Sequence, residues 1–350
     1  MTRRAQTNGP AKQRGVTLVE MMVALVVGLI LLAGMVQLFV SNKQAYRIQE
    51  ASNVVNENAR YVMDQLQYDI RMADHWGGVE SDAITMLAGM GAVTDDCATN
   101  AAAVVPAGVF GLDGNSGTPL ACIATANYVA NTDVLVLRYL SPDRVASGSV
   151  QNNAVYLRSA IGRRGMLFEG ADKTSLPSDL LPANWTQSNV LLEDPSMATY
   201  ELRTMVYFIR PCASQAKGTA AVCDAADDTT PTLTRFRMDG MTMVEEDVIA
   251  GVEQMQLSYG VDTNGDRSAD VYRNAGEVTT ANQWARVVNV KMSLVLRNLA
   301  RDTTYNDSST YRLYGGAAGA TVNYTVPAAD RQFRRKVYHS TVQIRNMNRG

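Results

Sequence analysis

The chain has 350 residues, of which 46% are hydrophobic and 19% charged, and a formal net charge of −2; that is enough for one membrane segment and one or two globular units. The charge is uneven, because residues 1–15 hold Arg3, Arg4, Lys12 and Arg14 with no acid and leave 28 basic against 34 acidic residues for the rest. A weakly acidic body has no electrostatic footprint for nucleic acid, and two histidines with no Cys-x-x-Cys give no zinc pattern.

Residues 1–15 read as a short basic leader on the cytoplasmic side. The positive-inside rule then sends the remainder of the chain outward. From Val16 to Val40 the sequence is apolar, with Glu20 its one charge and Gln37 its only other strongly polar side chain. About 20 such residues span a bilayer as a helix. A carboxylate inside that segment costs about 2.5–3.5 kcal/mol on the lenient insertion scale, so its presence calls for a compensating partner. It also suits a cleaved secretory signal poorly, and no small-x-small site follows Val40.

Neither Pro nor Gly occurs between Ser41 and Ala73. Apolar residues recur there at Ile48, Ala51, Val55, Ala59, Val62, Leu66, Ile70 and Ala73, a spacing that makes one stripe of a helix. A single helix is therefore expected from about Thr17 to Asp74, with Gly77-Gly78 ending it. Its second half offers a face to the chain's own sheet. His75 and Trp76 are expected to pack at that junction.

Residues 81–131 are rich in Ala, Gly, Thr and Asn and read as loop with some short strand. Alternation and β-branched residues then mark strands at Asp133–Tyr139, Ala154–Ser159, Tyr200–Arg210, Leu233–Met238, Gly251–Tyr259, Arg286–Arg297 and Lys336–Arg345. In Arg286–Arg297, Val288, Val290, Met292, Leu294 and Leu296 face one way, with Asn289, Lys291, Ser293 and Arg297 on the other. Runs of strands after one helix imply an α+β fold, a long N-terminal helix packed on an antiparallel β-sheet head. The four cysteines fall as two local pairs, and for an exported body Cys97–Cys122 and Cys212–Cys223 are the simplest of three pairings.

Asp262-Thr263-Asn264-Gly265-Asp266-Arg267-Ser268-Ala269-Asp270 places oxygen side chains at alternate positions. Asp262, Asn264, Asp266 and Asp270 could wrap a hard cation as in the first part of an EF-hand loop, which makes calcium the one candidate cofactor. Arg267 and Arg273 stand where such a loop wants Gly and a bidentate Glu, and a plain Asx/Gly turn has the same pattern. No phosphate-cradling loop, catalytic triad or paired carboxylates stand out, so no enzymatic chemistry is expected.

Gly15-Val16-Thr17-Leu18-Val19-Glu20, after a basic leader and before a long apolar run, resembles the class III signal of type IV prepilins and pseudopilins. The resemblance implies cleavage after Gly15 by a prepilin peptidase and methylation of the new Val16 amine; the family's usual first mature residue is Phe. It also implies that Glu20, at the fifth mature position, pairs with the amine of a neighbouring subunit, a strong interaction in low dielectric. Asn58-Ala59-Arg60-Tyr61, Asp69-Ile70-Arg71-Met72-Ala73 with Trp76-Gly77, Asp133–Tyr139, Asp262–Asp270 and the closing Arg334–Asn346 are similar to PilW-type minor pilins. A type IV pilin-like organisation follows as the expectation: 1–15 leader, 16–40 transmembrane and assembly helix, 41–76 amphipathic continuation, 77–350 periplasmic head. The implied partners are other major and minor pilins, the peptidase, the inner-membrane assembly platform and the lipid bilayer. The implied role is assembly or priming at or near a pilus tip. A minor pseudopilin of a type II secretion system, and a tip adhesin using loops 81–131 and 211–232, are the alternatives.

Overall fold

The computed structural model describes residues 15–88, 107–114, 120, 122–214, 222–224 and 227–346. These fall into two compact units, one ending at Asn53 and the other beginning at Val54. Helix α1 (Leu18–Met72, 55 residues) contributes to both. In the first unit nothing covers the apolar segment. Every large hydrophobic side chain from Val16 to Val40 is at least 49% exposed, so the driving force to bury that surface remains unspent within the chain.

In the second unit the stripe expected from the 3-4 spacing is buried: Val55, Ala59, Val62, Leu66 and Ile70 are at most 4% exposed. Burying Leu66 or Ile70 is worth about 1.5–3 kcal/mol each. The helix stops at Met72, two residues before the expected Asp74, because Asp74 takes φ +64° and Gly77 and Gly78 take +62° and +80°. At Gly77 a Cβ would come within 2.6 Å of the Tyr200 ring, so glycine is required there for space as well as for its backbone. The last helical carbonyls, of Arg71 and Met72, accept from Asn346 Nδ2 at 3.0 and 3.3 Å. This satisfies acceptors that a helix end otherwise leaves orphaned.

Among the described residues eight strands form the larger sheet: β1 (Ile84–Met86), β2 (Val109–Leu112), β3 (Val134–Arg144), β4 (Val155–Ala160), β5 (Arg164–Glu169), β6 (Met197–Arg210), β7 (Thr232–Asp239) and β8 (Thr242–Ala250). The 14-residue β6 is its hub, pairing β3, β4 and β7 in turn. Every pair is antiparallel except β1 with β5. The second sheet runs β10 (Val271–Arg273), β9 (Val252–Val261), β11 (Val287–Arg297) and β14 (Arg335–Gln343), all antiparallel. A hairpin, β12 (Thr310–Leu313) with β13 (Val322–Thr325), stands apart. A one-and-a-half-turn helix, α2 (Ala275–Thr280), begins with a complete capping box between Asn274 and Glu277. The α+β plan of a long helix and an antiparallel-rich head is as expected, with the main core formed by α1, β3, β6, β9 and β11.

The polar face of Arg286–Arg297 is covered as well as the apolar one: Ser293 and Arg297 are buried, and β9 is buried along its whole length. The reason lies in the 299–333 segment, which carries the hairpin and covers the second face. Tyr314 N donates to Ser293 Oγ at 2.8 Å, and Arg297 Nη1 reaches Asp330 Oδ1 at 3.0 Å. Buried ion pairs close this layer: Arg335 binds Glu253 of β9 and Asp307, and Arg297 approaches Glu253 at 3.5 Å.

Candidate assembly site

Gly15, Val16 and Thr17 precede the helix and are exposed. Thr17 caps it: Thr17 Oγ1 accepts from Glu20 N at 3.3 Å, and Thr17 O accepts from Met21 N at 3.1 Å. Thr17-Leu18-Val19-Glu20 is thus a capping-box sequence, with the carboxylate at the third helical position. There it also meets the positive end of the helix dipole, an interaction worth about 0.3–1 kcal/mol. Glu20 is exposed, and a Cβ at Gly15 would meet nothing within 4 Å. Residues 1–14 of the expected leader lie outside the described residues.

The 262–270 loop satisfies its four candidate ligands internally, and its three carboxylates do not form a group close enough to share an ion. Asp262 Oδ1 accepts from Asn264 N and Gly265 N at 3.1 and 2.6 Å, and Asp262 Oδ2 accepts from Arg267 N at 2.8 Å. Asn264 Nδ2 donates to Asp266 Oδ2 and Asp270 Oδ1. Asp270 Oδ2 takes both the N–H and the hydroxyl of Thr263 at 2.7 Å, which holds its carboxyl below the ordinary range. Arg267, at the position where an EF-hand loop has Gly, takes φ +68°. The loop is complete as an Asx turn, and a cation seated there would displace the Asn264 amide from between the two carboxylates.

Cys212 and Cys223 are bonded, with a Cα–Cα distance of 5.9 Å, as expected for that pair. Among the described residues the one convergence of Cys, His, Asp or Glu ligand atoms is this pair with Asp227, whose thiols the disulfide consumes. Cys122 is also disulfide-bonded; Cys97 lies outside the described residues.

Two family models match. One is the prokaryotic N-terminal methylation motif, over residues 10–36, which encloses Gly15, Val16 and Glu20. The other is type IV pilus-assembly protein W, over residues 206–346, from the middle of β6 through β14. The chain is similar to PilW-type type IV pilus proteins. No curated protein and no solved structure matches it. Both families describe pilus assembly or pilin processing, and neither is an enzyme family.

The head holds its helix through a polar contact that sequence reasoning missed. Asp69, quoted above only as part of a junction motif, is 1% exposed. Its Oδ1 accepts from Tyr139 of β3 at 2.8 Å; its Oδ2 accepts from Tyr207 of β6 and from Gln65 Nε2 at 3.0 Å. Burial first, then the neighbouring Asp69 charge, push both tyrosine hydroxyls well above their ordinary value. A polar residue beside the apolar stripe at Leu66 and Ile70 was the available signal; its partners, about 70 and 140 positions away, were not. Thr17 was legible in principle from the Thr-x-x-Glu spacing. Trp76 is buried and donates to Asp74 Oδ1 at 2.8 Å, so the junction packs as expected.

Proposed function

We propose that this chain is a minor pilin that joins a filament through its N-terminal helix. The leader is cut after Gly15, the Val16 amine is methylated, residues 16–40 are held in the inner membrane, and the head lies in the periplasm. Other pilins then receive the apolar helix, with Glu20 pairing to a neighbour's Val16 amine. The subunit primes assembly and sits at or near the tip. It performs no chemistry of its own.

The observation that carries this reading is the start of α1. An uncovered apolar helix begins with a carboxylate one turn in, and just before it stands a glycine that no contact among the described residues and no backbone angle demands. Residue identity at Gly15 therefore answers to something outside the fold, and a peptidase fits. Two substitutions test the reading separately. Gly15→Val should leave uncut precursor on an immunoblot. Glu20→Ala should be cut normally but recovered poorly in sheared filaments. Normal surface filaments containing both variants would sink it. Cut, membrane-held protein whose loss blocks protein export instead of piliation would favour the secretion-system pseudopilin.

A further inference from the structure

Lys43 and Arg47 are the only charged residues between Glu20 and Glu50. They stand on α1 just beyond the apolar run, four residues apart, so both project from one face of the helix. Both are exposed, and neither makes an ion pair among the described residues, although Glu50 follows Arg47 by three positions. Farther along the same helix the signs mix, with Glu57, Arg60, Asp64 and Arg71. The surplus of positive charge is therefore confined to the turns that leave the apolar segment.

Their depth follows from the helix itself. At its rise per residue, Lys43 lies about 4.5 Å and Arg47 about 10 Å beyond Val40. The headgroup layer of one leaflet is about 5–7 Å deep. The Lys43 ammonium falls inside that layer, and the Arg47 stem is long enough to bend its guanidinium back into it. Tyr46, next to Arg47 and 67% exposed, is a residue type that settles at this level. Two cations on the outward side run against the positive-inside bias, so they call for a negative partner where they stand.

We propose that Lys43 and Arg47 bind the phosphates of anionic phospholipids in the outward-facing leaflet and so hold the waiting subunit at a fixed depth. The inference rests on the reading that residues 16–40 lie in a bilayer. A guanidinium takes a phosphate with two parallel N–H bonds, and an ammonium beside it adds a point charge. A zwitterionic headgroup carries its own cation, which repels the pair. Each basic residue at an anionic surface strengthens binding about fivefold, so the pair favours an anionic lipid by more than about tenfold.

The test reconstitutes the full chain in vesicles of equal phosphatidylglycerol and phosphatidylcholine, washes them with carbonate, extracts the chain in mild detergent and measures the lipid that stays with it by mass spectrometry. Retained phosphatidylglycerol should exceed phosphatidylcholine at least about tenfold. In Lys43→Gln/Arg47→Gln that excess should fall at least about fivefold, and in Lys43→Arg/Arg47→Lys it should persist. The basic residues of the leader are common to all three chains, so the difference isolates this pair. A phosphate wash should remove no more lipid than a chloride wash of equal ionic strength; greater removal would assign a free-phosphate site and overturn the lipid one. An excess absent from the wild type, or unchanged in the glutamine variant, overturns the proposal and leaves the membrane reading standing. A chain that carbonate releases from the vesicles overturns both.

Discussion

Asp262, Asp266 and Asp270 lie within nine residues of one another, and each is held by the N–H groups of its own loop. The spacing of oxygen side chains was legible in the sequence; their direction was not, because the same spacing serves an ion or a turn. Since the turn is complete without an ion, the melting temperature of the full chain in micelles is expected to be unchanged by EDTA. Asp262→Ala should lower the melting temperature, because it removes a charge-assisted acceptor from three backbone donors. A rise in melting temperature with millimolar calcium that Asp270→Ala abolishes would instead assign the ion. Thr17 and Glu20 show the same limit. Their spacing could be read as a cap, as a processing signal or as both, and only the observed Thr17–Glu20 bond establishes the cap.

Helix α1 meets two environments, and its sequence announced both. A continuous apolar run gave the first half, and a 3-4 stripe gave the second. The sheet-facing half is fixed by more than apolar area, because Asp69 joins it to β3 and β6. Asp69→Ala would leave the Tyr139 and Tyr207 hydroxyls buried without their carboxylate, at a cost of about 2–4 kcal/mol. Urea unfolding would measure it, and a loss below about 0.5 kcal/mol would mean that the contact is not structural. Replacing both tyrosines by Phe in the Asp69→Ala background should recover part of the loss, because no hydroxyl is then stranded. Strands β3, β4, β6, β7, β9, β11 and β14 were readable from alternation. β8 was not, because Glu245, Glu246 and Asp247 interrupt it; they pair with Arg235 and Arg237 of the adjacent β7 and with Arg210 of β6, one strand further on. β5, β10, β12 and β13 are short, and their pairing is set by partners that local pattern does not reveal.

For the head as a whole, stability depends on how its buried charges titrate. Asp133 bridges β9 to the loop after β2, and burial pushes its carboxyl from 3.8 up to about 8, against the pull of the Gly114 and Leu257 N–H groups. Asp113 and Tyr259 lie close enough to be felt. Between those two values the folded chain keeps a proton that the unfolded chain has released. This contribution to stability is therefore full below about pH 4 and is lost as pH rises through about 8. Urea midpoints of the native chain should fall between about pH 5 and about pH 8, and Asp133→Asn should flatten that part of the profile. An equal slope in the variant would locate the titration elsewhere.

The ion pairs that bind β14 to β9, Arg335 with Glu253 and Asp307, are shut away from solvent. Added electrolyte shortens the reach of exposed charges from about 10 Å at 0.1 M to about 3 Å at 1 M, but it does not enter such a layer. The strand that completes the second sheet, and with it the floor under the hairpin, therefore keeps its hold from fresh water to brine.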